Sequence, residues 1–466
     1  MALESWLLKV KTVISNGIET VKTTAVREGK KGNVGVLVFE IAGLMSKLLQ
    51  LWQALSDKSV LWIRHEAIAV EGVRKIVSND EAFLLALACA EISESLRHVA
   101  TSVGRIGKRC EDSALWSFDR FFEEFADLGK DAQCWVLSRS DMDSKVVKKM
   151  NRYVAAAARL HKVIDVLADT EQSLRKLLSS TELESSIRVK KISDLQQKLF
   201  WQRQEVKRLK ENSLWNRSFD PVVLLLARSV FTVLARLKLV FGIGRGHDNP
   251  VTLPRSLSAT VYPSENSTPS SKFVSWPLIT KNPDQPDLAE GFFNSNTKLL
   301  KPPPTTLGLA ALAQHYANLI IVIEKMIRSP HLVGMDARDD LYGMLPASLR
   351  ASLGARLRGV GPCATNPVLA AEWREALACI LDWLAPLAHN MIKWQSDRSF
   401  EQQSVVRRST NVLLLQTLFF ANQAKAEAAI TELLVGLNYI WRFEREMNAK
   451  ALIACTEFYG SPNSQS

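Results

Sequence analysis

The residues that could carry out chemistry in this chain of 466 residues are few and widely separated. Its seven histidines and six cysteines include no HExxH motif and no CxxC pair, so no metal-ligand spacing is present. No GxSxG sequence offers a nucleophilic serine, and the glycine-rich stretches at 104–108 and 242–246 lack the spacing of a phosphate-binding loop. We therefore expect no catalytic residues, no cofactor, no metal and no enzymatic activity.

One polar face is a candidate for contact with a partner. His315, Asn318 and Lys325 lie on the stretch 307–327 at spacings of three and seven residues, which places them on one side of a helix. The apolar residues of this stretch recur at steps of three and four: Leu309, Leu312, Tyr316, Leu319, Ile320, Ile323 and Ile327. Prolines at 302–304 mark where the helix can begin. The pattern predicts a central core helix over 307–327, whose polar side is either solvated or bound to a partner.

The elements that position these residues are all predicted to be helices, because no segment alternates with the period of two that a strand requires. Ser78 and Glu81 form a capping box that predicts a helix from 82 to 103. The predicted fold is all-α, with two helical-bundle domains, a heptad-patterned helical hairpin and a disordered linker. The predicted domains are an N-terminal amphipathic helix and link (1–33), a helical domain (34–241), a flexible Pro/Ser-rich linker (242–304), a C-terminal helical domain (305–458) and a disordered tail (459–466).

Residues 141–212 carry the clearest long-range pattern, since apolar side chains alternate four and three residues apart on both sides of Ser179-Ser180. The repeating residues are Val146, Met150, Tyr153, Ala157, Leu160, Ile164 and Leu167, then Ile192, Leu195, Leu199, Val206 and Leu209. This spacing predicts a coiled-coil-like hairpin that packs with itself or with neighbouring helices. A homo-oligomer formed through the hairpin is left open.

The segment 222–240 comes closest to a membrane-spanning helix, but Arg228, Arg236 and Lys238 interrupt it. Each of these charges would cost ~2.5–3.5 kcal/mol at the centre of a bilayer. We predict instead a buried helix whose cations reach out at its edges. Glu4 lies where a secretory signal has basic residues, so we expect neither secretion nor a transmembrane helix.

The predicted linker offers one site of modification. Arg255 precedes Ser258 in the sequence Arg-Ser-Leu-Ser, which suits a kinase that prefers basic residues upstream of its target. A phosphate at Ser258 would add about 1.5–2 negative charges. Phosphorylation of Ser258 is therefore a hypothesis.

The formal net charge of +11 permits several kinds of acidic partner. An anionic membrane surface, a nucleic acid and an acidic protein all fit a basic chain, and excess lysine on solvated helix faces is the simpler explanation. Lysine and arginine are dispersed and no recognition module occurs, which disfavours nucleic acid. Protein partners of unknown identity are expected.

Two stretches resemble the paired plant domains of unknown function (3475-type N-terminal and 668-type C-terminal) of the phytosulfokine (PSK) simulator family. The first is residues 34–91. The second is residues 306–358, with LGLAALAQHYANLIIVIEKM followed by LYGMLP, and it continues at 383–403. Met1-Ala2 lacks the glycine that N-myristoylation requires, so the chain resembles a shorter, non-myristoylated branch.

The resemblance implies a non-enzymatic promoter of plant growth linked to phytosulfokine peptide-hormone signalling. Such a protein would act as a regulator or scaffold through protein contacts. The family has nuclear members, so the nucleus and/or the cytoplasm is expected, and a peripheral position at the plasma membrane is also open. The alternatives are a membrane-binding tether that uses basic and amphipathic helices and a nucleic-acid binder.

Overall fold

The computed structural model describes residues 34–179, 185–211, 219–242, 291–329, 334–358, 364–401 and 412–459. Within these ranges the regular structure is helical, and an isolated antiparallel bridge between Thr306 and Asn422 is the one strand-like feature. The all-α prediction is confirmed. The helix predicted within 1–33 and most of the tail predicted at 459–466 lie outside the described residues.

The first half of the chain folds into a bundle around two long apolar helices. Its helices are α1 (Val34–Ala54), α2 (Asp57–Trp62, extended by a π turn at Ile63–Ala67), α3 (Glu71–Ile76), α4 (Glu81–Gly107), α5 (Ser113–Trp116), α6 (Phe118–Leu128), α7 (Arg139–Asp141, extended by a π turn at Met142–Val146), α8 (Val147–Ser179), α9 (Ser185–Glu211) and α10 (Phe219–Phe241). α4 and α10 pack against each other and against α1, which creates the first hydrophobic core.

α10 lies at the centre of this core, and its basic side chains donate hydrogen bonds to carbonyls at the ends of other helices. Arg236 Nε donates to the Leu55 carbonyl at 3.1 Å, just beyond α1. Lys238 Nζ donates to the Phe125 carbonyl at 3.0 Å, in the last turn of α6. Both carbonyls belong to helix C-terminal ends, where basic side chains interact favourably with the backbone carbonyls. α10 is therefore a buried helix with cations at its edges, as predicted, and no described helix is long and apolar enough to cross a membrane.

α8 and α9 form the predicted helical hairpin. The first half of α8 packs on α1 and buries Met150 and Tyr153 in the first core. Its second half packs on α9 through a separate apolar cluster centred on Leu174, Ile192 and Leu199. α9 packs chiefly against α8. The use of this hairpin for self-association stays a prediction.

The second half of the chain forms a second bundle. It is preceded by α11 (Phe292–Leu299), which packs on the first bundle. The helices of the second bundle are α12 (Ala313–Arg328), α13 (Met335–Met344), α14 (Ala347–Leu357), α15 (Pro367–Glu401) and α16 (Gln423–Tyr459), with a 3-10 turn at Leu414–Gln416 before α16. α12, α15 and α16 surround the second core, in which Tyr316, Ile320 and Leu384 are fully buried. The core role predicted for the central helix is confirmed.

Extended backbone joins the two bundles. Within the second half, Leu307 N donates to the Ala421 carbonyl at 3.0 Å. The next residue, Asn422, reaches the first half, since its N donates to the Ile76 carbonyl at the end of α3 at 2.7 Å. The side chain of Ile76 lies in the second core, whereas Leu414 and Leu415 lie in the first core. Each half therefore contributes to the other's interior, and the predicted domain boundaries stay a prediction.

The prediction of a flexible linker over 242–304 is wrong at its C-terminal end. Residues 292–299 form α11, which packs on α4. Asp127 Oδ1 accepts a hydrogen bond from Phe292 N at 2.7 Å, and the Phe293 ring stacks on Phe122 at 5.3 Å. An eight-residue helix is marginal alone, so this one depends on tertiary packing that the sequence pattern does not show. Residues 243–290 of the predicted linker lie outside the described residues.

The central helix begins later than its apolar pattern predicts. α12 starts at Ala313 rather than at 307, and the preceding residues form turns. Leu307 N and Gly308 N donate to carbonyls of Ala421 and Phe419, and Ala311 has a left-handed φ of 55°. These bonds to the segment that precedes α16 replace the bonds of the first helical turns.

Candidate functional site

A groove of about 1000 Å³ opens between α1, α2 and α4 of the first bundle and the C-terminal part of α15. Its walls are mixed in character and include Lys47, Glu66, Glu91, Glu94, His98 and Trp394. Because both halves of the chain line it, a molecule bound in this groove would contact both bundles.

Glu91 of α4 fixes the position of the second bundle at this groove. Its Oε2 accepts a hydrogen bond from Leu414 N at 2.7 Å, and its Oε1 accepts one from Trp394 Nε1 at 3.4 Å. A carboxylate that accepts from a backbone amide forms a charge-assisted hydrogen bond, which is stronger than a neutral one. Glu91 thus has a positioning role at the junction.

Glu94, one turn further along α4, also accepts hydrogen bonds from neighbouring side chains. Arg97 donates to both carboxylate oxygens, with Nε to Oε2 at 2.9 Å and Nη2 to Oε1 at 2.5 Å. Thr297 of α11 donates its hydroxyl to Oε2 at 3.1 Å. The Arg97 guanidinium holds the pKa of Glu94 below its usual value, despite the opposing effect of partial burial. Glu94 therefore stays ionised at neutral pH and is unsuited to be a general acid.

The structure separates the three residues of the predicted interaction face. His315 is half-buried, and its Nε2 donates to the Met344 carbonyl at 2.9 Å, which anchors the end of α13 against α12. Asn318 and Lys325 are exposed on α12, and within the described part of the chain neither side chain has a hydrogen-bonding partner. The contact of this face with a partner stays a prediction, and its accessible part consists of Asn318 and Lys325.

Sequence reasoning missed a buried carboxylate on the same helix. Glu324 is 4% exposed, and it accepts hydrogen bonds from His389 Nε2 at 2.7 Å and from Arg328 Nη2 at 2.7 Å. Its position four residues after Ile320 and four before Arg328 is the available signal, since those spacings place it beside the apolar stripe and within reach of a cation. Glu324 holds α12 to α15.

A second polar cluster inside the second bundle was also missed. Glu427 Oε1 accepts hydrogen bonds from the Tyr316 hydroxyl at 2.7 Å, from Ser348 Oγ at 2.9 Å and from Gln423 Nε2 at 2.9 Å. Burial raises the pKa of Tyr316, and the hydrogen bond to Glu427 raises it further. The phenol therefore stays protonated as a donor, and the cluster ties α12, α14 and α16 together.

The remaining candidate residues are the linker serine, potential metal ligands and the cysteine thiols. Ser258 lies outside the described residues, so its phosphorylation stays a prediction. Within the described ranges, no group of three or more His, Cys, Asp or Glu residues is placed to hold a metal ion. Burial raises the pKa of Cys89 to about 12, which keeps this thiol protonated and unreactive.

Two family models match the chain. The model described as "Domain of unknown function (DUF3475)" matches residues 36–92, and the one described as "Protein of unknown function (DUF668)" matches residues 306–393. The first region runs from α1 into α4 and contains Glu91, whereas the second extends from the junction to α15. The two regions meet where α3 packs on α15.

Three proteins of Arabidopsis thaliana are similar over most of this chain. Protein PSK SIMULATOR 1 is 27% identical over 427 residues, which is 88% of this chain and 56% of that protein. Protein PSK SIMULATOR 3 is 25% identical over 423 residues, again 88% and 56%, and Protein PSK SIMULATOR 2 is 24% identical over 455 residues, 95% and 65%. The chain thus spans between 56% and 65% of the length of these relatives. No solved structure matches.

Proposed function

Because this chain is a homologue of the PSK SIMULATOR proteins and carries both the DUF3475 and the DUF668 regions, we propose that it promotes plant growth in connection with phytosulfokine signalling. It acts as a regulator or scaffold through contacts with other proteins rather than by catalysis. The observation that carries this proposal is the extent of similarity, which covers 88–95% of the chain and therefore includes both bundles and their junction.

The geometry of the groove supports a binding role. Glu91 and Glu94 are its best-placed carboxylates, and both are engaged in holding helices in position. A catalytic acid or base needs a proton that it can exchange with a substrate at the working pH. Residues engaged in this way instead build a fixed surface that a partner can recognise.

Asn318 and Lys325 are our candidates for the partner contact on the second bundle. Both are exposed on α12, a helix whose other sides are buried in the second core. A rigid helix presents polar side chains at small cost in conformational entropy, which favours recognition. We place the site of action in the nucleus and/or the cytoplasm, to be tested by imaging a fluorescent fusion in plant cells.

The test is growth complementation in Arabidopsis thaliana lines that lack the three PSK SIMULATOR relatives. Root length is measured with and without synthetic phytosulfokine in plants that express the wild-type chain, Asn318→Ala/Lys325→Glu or the control Lys393→Glu, which changes an exposed lysine of α15. We expect the wild type and the control to restore both growth and the hormone response.

The double variant should accumulate to the same level but restore growth less. If the wild-type chain accumulates and root growth stays that of the parent line, the proposal of growth promotion is wrong. If the double variant restores growth fully, the contact lies elsewhere on the surface, and the assignment of Asn318 and Lys325 is wrong.

A further inference from the structure

The hairpin of α8 and α9 carries most of the excess positive charge of the protein. Its two helices contain fifteen lysine and arginine residues and six acidic residues, a net charge of +9, against +11 for the whole chain. Few of these charges are neutralised locally. Glu205 pairs with Arg208 and Arg159, and Glu171 pairs with Arg203. The hairpin is therefore a strongly basic element attached to a nearly neutral body.

α9 has two opposite faces. Ile192, Leu199 and Val206 recur every seven residues and are buried against α8. Lys190, Trp201 and Arg208 form another stripe on the helix, about half a turn away from the buried one. All three residues of this second stripe are exposed.

The packing of the hairpin does not explain the aromatic residues on this exposed side. Phe200 is 57% exposed and Trp201 is 64% exposed, and their rings meet edge to face at 5.6 Å. Ile187 and Val189, three to four turns towards the N-terminus of α9, are 48% and 40% exposed. An exposed aromatic pair, with further exposed aliphatic residues along the same helix, costs hydration free energy unless something covers it.

We propose that the outer face of α9, defined by Lys190, Lys198, Phe200, Trp201 and Arg208, docks on an anionic membrane surface. Lys190 and Lys198 have no carboxylate within ion-pair distance among the described residues, so they are available to lipid phosphates. Tryptophan is favoured at the boundary between headgroups and acyl chains, where its ring is buried and its N–H stays hydrated. Cations beside exposed apolar rings are the composition of a helix that lies in this boundary.

The apolar residues distinguish a membrane from the other acidic partners. Aliphatic side chains such as Ile187 and Val189 gain from contact with acyl chains, but they gain little from the phosphates of a nucleic acid. Pairing two copies of the hairpin through their outer faces would bring together two elements of like charge, which is unfavourable. The outer face therefore fits a lipid surface better than DNA or a second copy of this chain.

The experiment uses the full chain and sedimentation with vesicles. Vesicles of phosphatidylcholine and phosphatidylserine at 7:3 are compared with phosphatidylcholine alone, at 0.05 M and 0.5 M NaCl. We expect binding to the anionic vesicles that weakens at high salt, because the surface potential is then screened. Lys190→Glu/Lys198→Glu should weaken binding at least ~25-fold, since each lysine near an anionic surface contributes about 5-fold. Trp201→Ser should weaken binding and leave its salt dependence unchanged.

The matched control is Lys301→Glu/Lys393→Glu, which changes the net charge equally at two exposed lysines outside the hairpin. Circular dichroism establishes that each variant keeps its helix content. Three outcomes would overturn the proposal: no binding to anionic vesicles, equal loss of binding in the control and the hairpin variant, or tighter binding to duplex DNA than to vesicles at equal phosphate concentration. The last outcome would assign the face to nucleic acid.

Discussion

Gly72 is the residue whose substitution probes the contact between the two matched regions most sharply. It lies in the first turn of α3 and is buried against α15. A Cβ atom at this position would lie 3.2 Å from the Trp383 carbonyl carbon and still closer to the carbonyl oxygen and to Leu387 Cδ1. A backbone carbonyl inside a helix cannot rotate away, so Gly72→Ala must push α3 and α15 apart.

The size of this effect follows from two opposing contributions. Overpacking a well-packed interface costs about 1–3 kcal/mol, whereas replacing glycine by alanine in a helix gains up to ~1 kcal/mol. We expect a net loss of about 1–2 kcal/mol in the free energy of unfolding of the Gly72→Ala variant. Gly43→Ala in α1 is the matched control, since a Cβ there meets nothing within 4 Å, and it should gain up to ~1 kcal/mol.

The assay is guanidinium denaturation of the full chain, followed by far-UV circular dichroism, for the wild type and both variants. The midpoint should fall for Gly72→Ala and rise for Gly43→Ala, with the same slope in all three proteins. If Gly72→Ala is as stable as the wild type, α3 does not pack on α15 as described, and the reasoning about the junction is wrong.

Two further predictions concern buried polar groups. Burial raises the pKa of Cys89 from an ordinary 9.0 to about 12, so above pH 9 the folded thiol keeps its proton while the unfolded thiol ionises. The free energy of unfolding should therefore fall by about 1.4 kcal/mol per pH unit above pH 9. Urea denaturation of Cys89→Ala between pH 8 and pH 10 should lack this component, and an unchanged slope would contradict the burial of the thiol. Tyr316→Phe should cost about 1–1.5 kcal/mol in thermal denaturation, because the hydrogen bond from the buried tyrosine to Glu427 is lost. Ser348→Ala, at an exposed position, should cost less. Equal costs would show that the Tyr316 hydroxyl is not held in the interior.

Hydrophobic periodicity predicted the long helices because it reports burial directly. α10 and α12 carry their apolar residues at helical spacing, and both lie in the cores where the pattern places them. The hairpin of α8 and α9 follows from its heptads in the same way. These elements could be predicted because local sequence and tertiary burial agree.

The features that sequence reasoning missed depend on contacts between distant parts of the chain. The capping box predicted at Ser78 and Glu81 does not form: Asp80 Oδ1 accepts from Ala82 N at 2.8 Å, and Glu81 pairs with Arg74 at 2.7 Å. No local pattern decides between two neighbouring caps when an arginine from the preceding helix takes one of the residues. The short helix α11 was also missed because it depends on contacts with a distant part of the chain, here its packing on α4.

Some features of the candidate site could likewise be predicted from the sequence, and others could not. Exposure of Asn318 and Lys325 could be predicted from the helical spacing, and the structure has both exposed. The hydrogen bond that His315 makes to Met344 could not, because it depends on how α13 folds back on α12. The groove forms, and Glu91 makes its hydrogen bonds, where segments more than 300 residues apart in the sequence meet. No local sequence motif could therefore predict them.

Hydrogen exchange of the wild-type chain, followed by mass spectrometry, tests most directly whether the two bundles form one folded body from which the basic hairpin extends. The slowest-exchanging amides of α4 lie in the first core, and those of α12 lie in the second. Their opening free energies should agree within about 1 kcal/mol and depend on denaturant in the same way. We expect this because each half of the chain contributes side chains to the core of the other. Amides of α9 should exchange faster, since α9 packs chiefly on α8. Opening free energies for α4 and α12 that differ by several kcal/mol would contradict the account.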